Sequence, residues 1–382
     1  MPLPEPTADA RDHSERLVQH IRDQIGASGG WIAFVRYMGL ALYAPGLGYY
    51  MAGARKLGRE GDFVTAPEIS PLFGETLARQ VAQVLDSELE EILEIGAGTG
   101  ALAASLLAEL ERLGRLPKRY LILELSADLR ERSRDTIAAR APHLMQRVAW
   151  LSRLPPSFSG VVLGNEVLDA MPVHIVRVVE SGIEESGVET GDGEAFRRAW
   201  RPAGGELLEA ARKLELPPGY STEIGLVARG FVRSLAQTIE RGVAIFIDYG
   251  FPRHEYFHPQ RATGTLMCHY RHHAHDDPFF LPGLQDITSH VDFSAIADVG
   301  VDAGMALLGY TAQAQFLINC GITDVLSRVP AEDAARYLPL ANQANRLLSP
   351  AEMGELFKVI AFGKGFDAPL IGFASGDRMH TL

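Results

Sequence analysis

The sequence predicts an α/β protein built around a mostly parallel β-sheet. Five short apolar runs recur along the chain, and stretches with helical apolar spacing separate them. The runs are Ile92–Ile95, Tyr120–Leu125, Val148–Leu151, Val161–Leu163 and Val243–Ile247. Strands that alternate with helices form parallel sheets, whose ligand sites lie at the carboxyl ends of the strands. We therefore expect a binding site at that edge.

Composition and charge narrow the class of protein. The chain has 382 residues, of which 47% are hydrophobic and 22% charged, as in ordinary globular proteins. Its net charge of −12 disfavours nucleic acid and suits a basic peptide or small cation. Cys268 and Cys320 form no disulfide framework, which indicates a reducing compartment. Acids and prolines near the start do not resemble a targeting signal, and no apolar run approaches ~18 residues. We expect a cytoplasmic protein without membrane insertion.

The N-terminal region, residues 1–75, is predicted to contain two helices and a loop that covers the site. Helical spacing extends over Asp12–Ile25 and continues in Trp31–Tyr43. From residue 45 to 71 the chain is rich in Gly and Pro and carries Tyr49, Tyr50 and Phe63. Long loops of this kind are uncommon unless they bind something. The three aromatic side chains are equally compatible with substrate contacts and with packing in a small core.

The rest of the chain is predicted to hold the main sheet with two additions. The core covers residues 76–180 and 220–382, and residues 181–219 form an inserted hairpin region with turns at Ser181–Gly182 and Gly191–Gly193. A substrate-binding insertion is expected at about 251–295, where the chain is aromatic and rich in His. Two late strand-like runs, "GMALLGYTAQ" and "FKVIAFGKG", are expected to add an antiparallel edge to the sheet.

A glycine-rich loop follows the first core strand in "EILEIGAGTGALAASLL". Glycine tolerates positive φ and has no Cβ, so the loop brings backbone N–H groups and a helix N-terminus close to a ligand. The loop residues expected to contact a cofactor are Gly96, Ala97, Gly98 and Gly100. The same letters fit a dinucleotide loop and, counted from Glu94, an S-adenosylmethionine loop.

Glu124 ends the next strand, 24 residues after Gly100. A carboxylate at this position can accept hydrogen bonds from ribose hydroxyls of either cofactor. It can also serve only as a helix-start carboxylate before Ser126. The complete strand, loop, helix, strand and acid unit favours ribose binding.

Three polar residues follow the strand at Val161–Leu163, namely Asn165, Glu166 and Asp169. They stand at the sheet edge where the reacting end of the ligand should lie, and the two acids would share a face if this segment were helical. In the alternative interpretation Asn165 caps that helix and the acids stabilise its first turn. We favour a catalytic role for all three.

Two further segments have open interpretations. Asp248, after the run ending at Ile247, is either an active-site acid or a turn residue before Gly250. In "TAPEIS", Thr65, Glu68 and Ser70 are expected to lie over the cofactor as a lid, whereas the alternative makes Thr65 or Ser70 a helix cap.

Six sequence blocks in order resemble the MidA family of class I S-adenosylmethionine-dependent methyltransferases, which includes a mitochondrial complex I assembly factor. The blocks are "GDFVTAPEIS", "LEIGAGTG", "NEVLDAMPVH", "DYG", "DITSHVDF" and "LLSPAEMGELFKVIA". The resemblance implies a Rossmann-like core of seven strands with added substrate-binding elements. It also implies S-adenosyl-L-methionine as cofactor and methylation of an arginine in a protein substrate, such as a respiratory complex I-type subunit.

An arginine substrate suits the acids of the third block, because carboxylates can clamp a guanidinium and orient its attacking nitrogen. Two other functions stay open at this point: a non-catalytic assembly factor with the same fold, and a methyltransferase for a small molecule or RNA. The run "CHYRHHAHDD" is expected to hold no metal, since one crowded loop lacks the ligand spacing of a zinc site. A homodimer is a further expectation.

Overall fold

The computed structural model describes residues 3–52, 65–191 and 195–382. The helices are α1 (Ala8–Ala27), α2 (Phe34–Tyr43), α3 (Ala66–Ile69), α4 (Pro71–Val84), α5 (Ala101–Arg112), α6 (Ala127–Arg140), α7 (Gly205–Arg212), α8 (Leu226–Thr238), α9 (Arg253–Tyr256), α10 (Phe293–Asp302), α11 (Gln313–Asn319), α12 (Ile322–Leu326) and α13 (Ala334–Leu348). Short 3-10 helices cover Pro142–Arg147, Pro259–Arg261, Ile371–Phe373 and Met379–Thr381.

The strands form three sheets. They are β1 (Ile32–Ala33), β2 (Glu91–Ile95), β3 (Arg119–Leu123), β4 (Val148–Leu151), β5 (Phe158–Asn165), β6 (His174–Val179), β7 (Gly182–Thr190), β8 (Phe196–Pro202), β9 (Ser221–Ile224), β10 (Ile239–Phe251), β11 (Met267–Tyr270), β12 (His273–His275), β13 (Asp286–Thr288), β14 (Val291–Asp292), β15 (Ala306–Ala312) and β16 (Phe357–Lys364).

The main sheet has the order β15-β16-β10-β5-β2-β3-β4, with β14 paired to β10. Strands β4, β3, β2, β5 and β10 run parallel. Strand β16 runs antiparallel to β10, and the edge strand β15 pairs antiparallel with β16. The predicted α/β fold, mostly parallel with an antiparallel edge, is therefore confirmed. Each of the five apolar runs overlaps a strand of this sheet, although the run Tyr120–Leu125 extends two residues beyond β3. The strand order reverses between β2 and β5, which places a crevice at their carboxyl ends.

The central strands are buried on both faces. Along β10, Val243, Ile245 and Ile247 join one hydrophobic cluster while Ala244 and Phe246 join another, because successive side chains of a strand point to opposite faces. Helices α4 and α5 cover the first face, and α8 and α10 cover the second. Layers on both sides of a parallel sheet explain why these runs are continuously apolar.

The N-terminal segment and the insertions build two smaller sheets beside the crevice. Strands β1, β7, β6 and β9 form one in that order, with β8 added to β7, and β12, β11 and β13 form the other. The predicted turn at residues 181–182 joins β6 to β7, whereas the predicted turn at 191–193 extends beyond the described residues. The five-stranded sheet covers residues 174–224, a wider range than the hairpin region predicted at 181–219, and it also includes β1. The proposed domain boundaries stay predictions.

No helix within the described ranges is long and apolar enough to cross a membrane.

The two N-terminal helices are somewhat displaced from their predicted ends. Helix α1 begins before Asp12 at Ala8, where Thr7 accepts a hydrogen bond from the N–H of Ala10 and so caps it. Helix α2 begins at Phe34, because the residues before it pair with β7 as strand β1.

Candidate active site

A cavity of about 460 Å³ opens at the carboxyl ends of β2, β3, β5 and β10. This volume lies within the range of small-molecule and cofactor sites. Its lining includes nine of the ten residues that the sequence analysis selected. They are Thr65, Glu68, Gly96, Ala97, Gly98, Glu124, Asn165, Glu166 and Asp169. The tenth, Gly100, lies beside the cavity and has another role.

Gly100 allows the loop to turn into helix α5. Its φ is +81°, and a Cβ at this position would lie 2.8 Å from the Cα of Ser133 in helix α6. A side chain would therefore be strained by the backbone conformation and by the neighbouring helix. Gly100 thus positions the loop, and its direct contact with the cofactor stays a prediction.

The glycine loop forms a cradle between two strands. Gly96 donates its N–H to the carbonyl of Leu123 at 2.9 Å, which joins the end of β2 to the end of β3. Gly96 and Gly98 both have positive φ. Thr99 donates its hydroxyl to Glu68 of α3, so the short helix lies against the loop. Ser70 caps α4 by accepting from the N–H of Leu72, whereas the Thr65 side chain makes no capping bond.

Glu124 lies at the cavity and also bonds the backbone at the start of helix α6, while its contact with a ribose stays a prediction. It lines the cavity, and its Oε1 accepts from the N–H of Ser126 at 2.9 Å. Burial raises the pKa of Glu124, and backbone N–H groups of Ser126, Leu125 and Gly98 oppose that rise. A second buried acid, Glu94, accepts from the hydroxyl of Tyr120 at 2.8 Å. Burial raises the pKa of Glu94 to about 7.

The acids after β5 lie on a turn, not on a helix. Glu166 has a φ of +52°, which is uncommon for a residue with a side chain, and donates its N–H to the carbonyl of Ile247 at 2.9 Å. The condition under which the two acids would share a helix face is therefore not met, and Asn165 caps no helix here. Residues 166–170, which we call the acidic turn, carry Glu166 and Asp169 into the cavity.

Asp248 holds the acidic turn from the neighbouring strand β10. Its Oδ2 accepts from the backbone N–H groups of Val167, Leu168 and Asp169 at 3.1, 2.9 and 3.3 Å. Burial raises the pKa of Asp248, as do Asp169 and Glu166, and the N–H groups oppose them. Asp248 does not line the cavity. The sequence left two interpretations of Asp248, an active-site acid and a local turn residue, and neither describes this long-range contact.

Two other parts of the chain also contact the acidic turn. The hydroxyl of Tyr43, from α2, donates to the carbonyl of Ala170 at 3.0 Å. The N–H of Ser289, just after β13, donates to the carbonyl of Asp169 at 3.1 Å. The N-terminal segment, the main sheet and the three-stranded sheet therefore all hold the same five residues.

Both acids of the turn have raised pKa values. Burial raises the pKa of Glu166 to about 8, with a further rise from Asp169, and Asn165 opposes it through a hydrogen bond. Burial also raises the pKa of Asp169 to about 6, although the hydroxyl of Tyr249 lowers it. Buried carboxyls behave in this way because desolvation penalises their charged form.

Several residues of the opposite wall were not predicted from the sequence: Tyr43, Tyr249, Asp286 and Thr288. Tyr50, which it left open, also lines the cavity, and its hydroxyl donates to Asp286. Two of the missed positions belong to the quoted block "DITSHVDF" and one to "DYG", so the blocks themselves were the signal. Phe63 lies outside the described residues.

The His-rich segment does not form part of the described lining. Residues 267–275 form the hairpin of β11 and β12, in which Cys268 is buried opposite His275. The described residues include no cluster of three or more His, Cys, Asp or Glu that could hold a metal. That this segment binds no metal stays a prediction, which elemental analysis of the purified protein can test.

Charge is the most informative property of the cavity. Its described lining carries six carboxyl groups and no Lys, Arg or His side chain. The carboxyl groups belong to Glu68, Glu94, Glu124, Glu166, Asp169 and Asp286. Such a wall favours cationic ligands and disfavours phosphates, so it suits a sulfonium cofactor better than a dinucleotide.

Comparison with known proteins agrees with this chemistry. Residues 76–311 match the model of the Methyltransf_28 family, described as S-adenosyl-L-methionine-dependent methyltransferases. The chain belongs to this family. A crystal structure of a COG1565 superfamily member from Burkholderia thailandensis, bound to S-adenosyl-homocysteine, is 55% identical, with a TM-score of 0.96 and complete coverage of both chains. The predicted S-adenosylmethionine cofactor and methyltransferase activity are thus confirmed.

Curated relatives of this methyltransferase carry more specific names. The Drosophila melanogaster protein arginine methyltransferase NDUFAF7 homolog, mitochondrial, is 29% identical, over 97% of this chain and 91% of the relative. The Bos taurus protein arginine methyltransferase NDUFAF7, mitochondrial, is 30% identical, over 90% of this chain and 82% of the relative.

These relatives contradict the predicted cytoplasmic location, because their names place them in mitochondria. That prediction was wrong because unpaired cysteines indicate only a reducing environment and do not distinguish one such compartment from another.

Proposed function

We propose that this methyltransferase transfers the methyl group of S-adenosylmethionine to a guanidinium nitrogen of an arginine in a protein substrate. The observation that carries the proposal is the cavity wall, which has six carboxyl groups and no cationic side chain among its described residues. An arginine side chain brings a positive charge and five N–H donors to such a wall. The names of the curated relatives support the same substrate class.

The residues of the acidic turn have distinct roles in this proposal. Bound S-adenosylmethionine supplies an activated methyl group on a sulfonium centre. Asp169 accepts hydrogen bonds from the guanidinium and holds the attacking nitrogen in place. As the new N–C bond forms, the guanidinium can release one proton, and Glu166 accepts it. A carboxyl group with a raised pKa suits that task near neutral pH.

The cofactor is proposed to lie along the other half of the cavity. Gly96, Ala97 and Gly98 face it with backbone groups, Glu124 accepts from the ribose, and Thr65 and Glu68 close over it. The glycine cradle supports this placement, as does the position of Glu124 beside the loop. Asn165 stands between the two halves and donates its amide to Glu166 at 3.2 Å.

Replacement of Glu124 by Ala is expected to weaken cofactor binding by roughly 10- to 100-fold, because a charged hydrogen-bond acceptor for the ribose is lost. Calorimetric titration with S-adenosylhomocysteine measures the change. Since Glu124 also bonds the N–H of Ser126, thermal unfolding of the unliganded variant serves as control. An unchanged affinity in a stable variant would leave Glu124 as a helix-start residue only.

The rate with an arginine substrate is expected to depend steeply on pH. Below a pH of about 8, Glu166 is protonated in the free enzyme and cannot attract a cation. Values of kcat/KM should therefore rise with pH, with steps near the pKa values of Asp169, about 6, and Glu166, about 8. The upper step should disappear in Glu166→Gln. A profile that is flat between pH 6 and 9 would contradict this assignment.

The substrate class is tested with purified enzyme, radiolabelled S-adenosylmethionine and cell lysate, followed by mass spectrometry of labelled products. Methylarginine in a protein supports the proposal. Label in lysine, RNA or a small molecule would overturn it.

A respiratory complex I-type subunit is the substrate that the family resemblance suggests, and a homodimer is proposed as the form in solution. Light scattering on the purified protein tests the latter.

A further inference from the structure

An aromatic pair from the N-terminal segment stands on the cavity wall. Tyr43 and Tyr50 stack with ring centroids 5.4 Å apart and an interplanar angle of 26°, and both line the cavity. Their hydroxyls are fixed, since Tyr43 donates to the carbonyl of Ala170 and Tyr50 to both oxygens of Asp286 at 2.9 and 3.0 Å. The rings are therefore held in place before any substrate arrives.

Two buried oxygens on this side of the cavity lack hydrogen bonds. Asp169 Oδ1 and Thr288 Oγ1 have no partner of acceptable geometry within residues 3–52, 65–191 and 195–382. The side chains are only 4% and 2% exposed. Buried polar atoms are rarely left unpaired, because each costs free energy of desolvation. The hydroxyl of Tyr249 lies near both side chains and lowers the pKa of Asp169, but it makes no hydrogen bond of acceptable geometry to either oxygen.

We propose that Tyr50 and Thr288 determine specificity for a planar guanidinium, which stacks on the Tyr43–Tyr50 pair and donates N–H groups to Asp169 Oδ1 and Thr288 Oγ1. This inference rests on the proposed function. A planar cation can stack on an aromatic ring and donate hydrogen bonds to two acceptors at the same time. The compact ammonium group of lysine fits this combination of contacts less well. Burial, together with Asp286, also raises the pKa of Tyr50, so the ring stays neutral.

The proposal assigns substrate recognition to two segments outside the methyltransferase sheet. Tyr50 follows α2, and Thr288 ends β13 of the three-stranded sheet. Asp286, on the same strand, fixes the Tyr50 hydroxyl from across the cavity wall. The two segments therefore form one recognition surface.

The test uses small probes in place of an unidentified substrate. Methylguanidinium and methylammonium are titrated into enzyme saturated with S-adenosylhomocysteine, and binding is followed by protein NMR shifts. Wild-type enzyme should bind methylguanidinium at least about tenfold more tightly than methylammonium. Tyr50→Leu and Thr288→Val should each weaken methylguanidinium binding by about tenfold, with little change in affinity for S-adenosylhomocysteine.

Stability measurements separate recognition from a structural role. Thr288→Val keeps the shape and removes an unpaired oxygen, so the unliganded variant should unfold at the same temperature as wild type or higher. Thr323→Val, at an exposed position of α12, is the matched control and should change neither property. If wild type does not prefer methylguanidinium, or if both variants bind it as tightly as wild type does, this inference is overturned. The proposed function fails separately, if the lysate labelling yields no methylarginine.

Discussion

Replacement of Glu166 by Gln is expected to lower methyl transfer at saturating cofactor by about 30- to 1,000-fold. At pH 9, where Glu166 is ionised, the variant keeps the size of the side chain and lacks both the charge that attracts the guanidinium and the group that takes its proton. Loss of one charged partner in a desolvated site commonly costs ~2–4 kcal/mol of transition-state stabilisation. Affinity for S-adenosylhomocysteine, measured by calorimetry, should change little.

The same variant should not be less stable than the wild type. Because the pKa of Glu166 is raised to about 8 in the folded protein, its contribution to stability is present at low pH and is lost as pH rises through 8. Gln cannot ionise, so the variant should unfold at a higher temperature than wild type at pH 9. Glu209→Gln, on the exposed side of α7, is the control for a generic change of charge. Near wild-type turnover in Glu166→Gln would remove the main support for the arginine mechanism.

Replacement of Asp248 by Asn is expected to destabilise the protein by about 3 kcal/mol and to lower turnover strongly, although Asp248 does not line the cavity. Both carboxylate oxygens accept backbone N–H groups, Oδ2 from the acidic turn and Oδ1 from Tyr249 at 3.0 Å. Asn must place an NH2 group against one of these donors, so buried N–H groups lose their acceptor.

The measurement is denaturant unfolding alongside methyl transfer under conditions where the variant is folded. Asp86→Asn is the matched control, since Asp86 accepts from the N–H groups of Glu88 and Leu89 in an exposed turn far from the cavity. That variant should lose well under 1 kcal/mol and retain turnover. Equal effects of the two substitutions would show that Asp248 does not specifically hold the acidic turn.

Local signals predicted most of the residues that line the half of the cavity proposed to hold the cofactor. The loop from Gly96 to Gly100 and the acid Glu124 belong to one strand, turn, helix and strand unit. Their spacing in sequence therefore predicts that they lie close together in the fold. The main sheet was predictable for a similar reason, because strands buried on both faces are apolar throughout. Only the role of Gly100 differed, since its close approach to Ser133 depends on how two helices pack.

The substrate half was predicted less completely because its contacts are not local. Helical spacing was invoked for Glu166 and Asp169, yet a carboxylate from another strand holds them in a turn. Tyr43 and Thr288 come from segments that are distant in sequence and come together only in the folded chain. The spacing of apolar residues indicates local structure and does not predict such a contact. The quoted blocks identified the right segments without indicating which side chains face the cavity.

The three-way support of the acidic turn has a consequence for folding order. The glycine loop and Glu124, which are proposed to bind the cofactor, lie within one short stretch of chain. The acidic turn, by contrast, is joined to Asp248 across 81 residues and to Tyr43 across 127. Closing longer loops costs more conformational entropy, and non-local contacts form late. A refolding chain should therefore regain the ability to bind S-adenosylhomocysteine before it regains methyl transfer. Methyl transfer to a substrate is thus a stricter sign of completed folding than cofactor binding is.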